Sequence, residues 1–193
     1  MNLEFRRKAY DQMLEWKHSM SNHYALLIEG ARRVGKTHLI QKFIEQEYES
    51  YIFIDFSQKG KLVRDSKKAF TEETDIRGTL ERLQPLHHVS LQEGKSCIVF
   101  DEVQRFPTAR EAIKQLVAYG KYHYIESGSL LGIKENVKDI VIPSEEHKMK
   151  LFPLDFEEFL WACGEDRLAD RIRECFSAQK PMGWAHEQAK RLL

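Results

Sequence analysis

At 193 residues, with 42% hydrophobic and 31% charged residues, the chain is long enough for one ordinary domain with a buried core and too short for a second full one. Its 30 basic and 30 acidic residues cancel, so composition offers no support for a nucleic-acid partner. No apolar run approaches the roughly 18 residues of a membrane span and the first residues lack a secretory pattern, so we expect no membrane segment and residence in the cytoplasm.

In chain order, the apolar residues Leu3, Phe5, Ala9, Met13, Leu14 and Trp16 recur at helical spacing and predict an N-terminal helix over residues 3–18. The short apolar run YALLI at 24–28 reads as a buried strand, and Leu39, Ile40, Phe43 and Ile44 share one face of a helix over 36–47. Further strands are expected at 51–54, before Asp55; at 96–100, before Asp101 and Glu102; and at 122–125. The polar stretch 58–93 offers one short helix at 75–83, whereas Ile113, Leu116 and Val117 mark a helix over 109–119. A helix capped by Asp155 follows, with Phe156, Phe159 and Leu160 on its face, and then helices at 166–175 and 184–193. Strands alternating with helices predict an α/β fold with a doubly wound parallel sheet. The expected organisation is an N-terminal helix (1–20), a core (21–152) and a helical C-terminal segment (153–193) that begins a second domain.

Two features argue against metal or disulfide scaffolding. Cys97, Cys163 and Cys175 are odd in number and widely spaced, and His87 and His88 have no companions at zinc spacing.

Residues 30–37, GARRVGKT, satisfy the phosphate-binding pattern GxxxxGK[ST] between a strand and an amphipathic helix. From ordinary glycine usage, a chance match arises in about one such chain in a hundred. Gly30 and Gly35 are expected to let the backbone bend so that amides and the helix N-terminus face phosphate oxygens. Lys36 then supplies a mobile positive charge, and the Thr37 hydroxyl suits magnesium. The candidate nucleotide-binding set is Gly30, Ala31, Arg32, Arg33, Val34, Gly35, Lys36, Thr37 and His38. About 65 residues on, CIVFDE ends a strand in two carboxylates, which fits Asp101 holding magnesium and Glu102 activating water. Ser127, with Ser129 as its competitor, is the candidate for sensing the terminal phosphate from the tip of the fourth strand.

Together GARRVGKT, CIVFDEVQRFP, SGSLLGI and LFPLDFEEFLWACGE resemble the prokaryotic AAA-type P-loop ATPases that carry a C-terminal nuclease-like domain of unknown function. The resemblance implies an AAA-like core that uses ATP and magnesium, with Lys36, Thr37, Asp101 and Glu102 in nucleotide chemistry and Ser127 as the polar sensor. It implies further that the chain holds only the ATPase part, whose nucleotide state controls a protein partner or a missing C-terminal domain. Where many relatives have an arginine before the LFPLDFEEFL segment, this chain has His147, Lys148 and Lys150. No arginine can be assigned as the transition-state finger, so slow basal turnover is expected. A nucleotide-binding module with little hydrolysis and a small P-loop kinase are the alternatives. The oligomeric state is not read from these residues.

Overall fold

The computed structural model describes residues 6–129 and 143–192. The chain divides into a larger unit, Asp11–Phe152, and a smaller one made of Met1–Tyr10 and Pro153–Leu193. No helix among the described residues is long and apolar enough to cross a membrane.

In the larger unit, β1 (Ala25–Gly30), β2 (Ser50–Asp55), β3 (Ser96–Asp101), β4 (His123–Ser129) and β5 (Glu146–Leu151) form a five-stranded sheet in the order β2-β3-β4-β1-β5. Every neighbouring pair is parallel. β3 and β4 are buried along their whole length, as central parallel strands covered on both faces must be. Because successive strand residues face opposite sides, His123 and Tyr124 report the two layers. Tyr124 belongs to the core with Ile98 and Phe100, under α3 (Lys61–Glu72), α4 (Ile76–Leu86), α5 (Pro107–Glu111) and α6 (Ile113–Tyr119). His123 instead meets Trp16 of α1 (Lys8–Ser19) and Tyr48, the residue that ends α2 (Lys36–Glu47). The chain leaves β1 towards one sheet edge and β4 towards the other, so the loops diverge at the carboxyl ends of this adjacent pair and open a crevice.

The predicted strands and the α2 helix are present, and the departures have physical causes. α3 carries only Val63 and Ala69 as buried apolar residues, too few to give a period. β5 is a charged edge strand whose buried apolar residues are Met149 and Leu151, and charge on an edge hides the alternation while protecting it from pairing with other chains. His147, Lys148 and Lys150 lie in it. The helix expected over 109–119 starts earlier, with Pro107 in its first turn, and is interrupted at Ala112. α-type bonds nevertheless cross the interruption, from the Ala112 N–H to the Thr108 carbonyl (3.1 Å) and from the Leu116 N–H to the Ala112 carbonyl (2.9 Å). The expected residues 3–5, 130–133 and 193 lie outside the described residues.

β4 runs past its predicted end because its polar half is buried rather than looped out. Glu126 is fully buried, and that burial, with neighbouring Glu146, pushes its carboxyl well above the usual range. Glu146 forms a two-pronged pair with the Arg110 guanidinium at 2.7 and 2.9 Å.

The smaller unit packs α7 (Phe156–Ala162), α8 (Asp166–Ser177) and α9 (Trp184–Leu192) around Leu160, Leu168, Ala169, Ala185 and Ala189. Asp155 caps α7 as expected, accepting from the Glu158 N–H at 2.8 Å while Glu158 accepts from the Asp155 N–H at 3.1 Å. Arg7 pairs with the same Glu158 carboxylate at 3.2 Å.

Candidate functional site

The loop between β1 and α2 combines two backbone devices. Gly35 is left-handed (φ 90°, ψ 21°) and serves as N-cap of α2 without a side chain. Arg33 is also left-handed (φ 66°), a conformation that costs a non-glycine residue about 1 kcal/mol. Alternation of this kind curls successive amides into a concavity, and the uncapped start of α2 adds the positive end of its dipole.

Gly30 departs from the expectation that it bends the chain. Its backbone is not left-handed, and its need is for space: a Cβ there would stand 2.4 Å from the Leu151 carbonyl oxygen and 3.2 Å from Val34 Cγ2. Since the obstacle is backbone of β5, the sheet edge has to move to admit a methyl. Gly30→Ala is expected to cost about 3 kcal/mol. In a chain of this size that lowers Tm by about 10 °C. An unchanged melting curve by calorimetry would show that β5 is not held against β1 at this point.

Lys36 is only 6% exposed, and its Nζ donates to the carbonyls of Gly30 (3.0 Å) and Ala31 (2.9 Å). Burial lowers its pKa and the Arg32 charge adds to this, against the opposing pull of Glu102 and Asp101. The next residue, Thr37, donates its hydroxyl to Asp101 Oδ2 at 2.8 Å. Asp101, buried at the tip of β3, also accepts from the Ser127 hydroxyl and, at 3.2 Å, from the Glu102 N–H. Hydroxyls from α2 and β4 thus converge on one carboxylate. Of the two competing serines, Ser127 makes this contact, whereas Ser129 lies level with Gly30 in the sheet.

Glu102 is left-handed (φ 54°, ψ 44°), and its Oε2 accepts from Gln104 Nε2 at 2.5 Å. Nearby, burial acts to raise the Asp55 carboxyl. Hydrogen bonds from Ser57 and Gln58, with the Arg105 charge, outweigh it and hold the group below its usual value.

These elements surround a cleft of about 460 Å³, within the range of small-molecule sites. Arg32, Arg33, Gly35, Lys36, Thr37 and His38 line it, as does Glu102. Gly30, Ala31 and Val34 shape the loop without lining the cleft, and Asp101 and the fully buried Ser127 stand behind Thr37. Two lining residues were missed in the sequence, Ser57 and Arg105. Both follow a strand-tip carboxylate by two to four residues, at Asp55 and at Asp101, and that position was the available signal.

Hard oxygen donors suit magnesium, and the Thr37 hydroxyl beside the Asp101 carboxylate is such a set. No group of three or more His, Cys, Asp or Glu side chains fit to hold a metal occurs among the described residues.

The sequence pattern of a family described as AAA domain matches residues 22–160. No curated protein matches the chain. Among solved structures, Aeropyrum pernix ORC1 in complex with DNA is similar with a TM-score of 0.52 at 12% identity, over 86% of this chain and 50% of that one. C. elegans PCH-2 gives 0.47 at 13% identity, over 92% and 49%. AMPPCP-bound DnaA from Aquifex aeolicus gives 0.46 at 16%, over 98% and 56%. The chain therefore spans about half the length of each. The ORC1 likeness bears on fold, and the five-stranded parallel sheet flanked by helices is an α/β P-loop NTPase-like fold.

Proposed function

The chain belongs to the AAA domain family, and from that premise we propose that it binds ATP with magnesium and hydrolyses it slowly. Membership supports a nucleotide-binding function of the ATPase type. The observation that carries the finer reading is the meeting of the Thr37 and Ser127 hydroxyls on Asp101, beside Lys36 and Glu102, at the uncapped start of α2.

In this reading Lys36 turns from the loop carbonyls to the outer phosphates, and Arg32 and Arg33 add positive charge to the same wall. Thr37 and Asp101 hold magnesium, which when bound neutralises charge on the outer phosphates. Glu102 takes a proton from the water that attacks the terminal phosphorus. The bond from that phosphorus to the bridging oxygen breaks, and ADP and phosphate leave. Ser127, tied to Asp101, passes the state of the site to β4. That state in turn governs a protein partner or a further C-terminal domain, of the nuclease-like kind suggested by the LFPLDFEEFLWACGE segment.

Slow turnover has structural support, because the Gln104 amide engages the carboxylate that must accept the proton. The same contact favours a second reading, a module that holds nucleotide with little hydrolysis. Phosphate release from magnesium ATP, run beside a nucleotide titration with and without EDTA, separates them. We expect binding with slow, EDTA-sensitive release. Binding without release supports the second reading, and absence of binding overturns both.

A further inference from the structure

Resting on that reading, we propose that Arg105 is the arginine that contacts the terminal phosphate of the bound nucleotide, supplied by the same chain as the phosphate-binding loop. Arg105 lines the cleft together with Lys36, Thr37 and Glu102. It comes from the β3 side, whereas the other lining cations, Arg32, Arg33 and Lys36, belong to the loop. A phosphate chain lying along the loop between Lys36 and Glu102 therefore has Arg105 on its other side.

The root of the side chain is fixed. Val103–Arg105 is a 3-10 turn directly after Glu102, closed by the Arg105 N–H on the Glu102 carbonyl at 2.9 Å. The next residue, Phe106, packs on Phe56 with ring centroids 5.1 Å apart, and Pro107 then opens α5.

The guanidinium, in contrast, is uncommitted. Arg77, Arg82 and Arg110 of this unit are held in ion pairs, but the Arg105 guanidinium has no hydrogen bond or ion pair among the described residues. Its charge reaches Asp55 at the tip of β2, the strand paired directly beside β3. A fixed root with a free, forked donor suits two-pronged recognition of phosphate oxygens. Four lining cations against one lining carboxylate, Glu102, also give the cleft the field that a triphosphate demands.

Arg105 moves no proton in this role; it offsets the charge on the transferred phosphoryl group, which a diphosphate lacks. The test compares Arg105→Ala and Arg105→Lys with the parent chain. The readouts are affinity for ADP, affinity for a non-hydrolysable ATP analogue, and kcat. Arg105→Ala should leave ADP affinity within about twofold and weaken the ATP analogue about tenfold, the loss of one charged hydrogen bond. Its kcat should fall about a thousandfold, the lower end for a transition-state arginine. Arg105→Lys, with charge but no fork, should recover part of both. Equal losses for ADP and the ATP analogue would reduce Arg105 to a general anion attractor and overturn the proposal. An unchanged kcat in Arg105→Ala, in a parent that binds and hydrolyses ATP, overturns it alone. Absence of ATP binding by the parent overturns the ATPase reading as well.

Discussion

Glu102→Gln should abolish phosphate release while leaving ATP affinity close to that of the parent. The change swaps one oxygen for an amide of nearly the same shape, so the cleft keeps its outline and the 3-10 turn that follows is untouched. What disappears is the ability to accept a proton, and general-base catalysis contributes about 10²–10⁴-fold. The expected result is a fall of that size in steady-state release, with nucleotide binding within a few-fold. Affinity should persist because binding falls to the loop, Lys36 and Thr37. A variant that still releases phosphate at half the parental rate removes Glu102 from the role of base. The Gln104 contact sharpens the comparison: Glu102 lies in a left-handed conformation and is engaged by a neighbour two residues away, so the parent itself starts from a restrained carboxylate.

How far the sequence reached depended on whether function and folding wrote the same residues. The loop between β1 and α2 was legible because the phosphate-binding pattern it matches demands specific residue types at fixed spacing, and Lys36, Thr37 and Glu102 line one cleft. Asp101 and Ser127 were legible as strand-tip polar residues, but not their direct contact, which depends on β3 and β4 being neighbours in the sheet. The reason for Gly30 was misjudged for a similar cause. The pattern demands a glycine, yet the demand comes from the Leu151 carbonyl on a strand that charge had concealed. β4 was cut short because Glu126, Ser127 and Ser129 look like a loop until the sheet is known to bury them. Arg105 was unreadable for the opposite reason: an arginine in a surface turn has no local pattern, and its significance lies wholly in what stands across the cleft.

Lys36→Ala should all but remove ATP binding without destabilising the chain, and the two halves of that result rest on the same burial. An ammonium group 6% exposed, held by two carbonyls at 3.0 and 2.9 Å, carries a desolvation cost that lowers its own pKa. Removing it relieves that cost while depriving two carbonyls of a charged donor, a loss of about 1–3 kcal/mol each. The opposing terms nearly cancel, so Tm is expected to move by no more than a few degrees. Binding has no such offset. Stripping one partner from a buried charge pair costs about 3–5 kcal/mol, or about 10²- to 4 × 10³-fold in affinity at each tenfold per 1.4 kcal/mol. Titration of the variant beside a melting curve reads both halves at once. Lost affinity with an intact fold assigns Lys36 to the phosphates. Retained affinity would shift the binding charge to Arg32, Arg33 and Arg105, and the loop would then be a scaffold for arginines rather than the phosphate cradle itself.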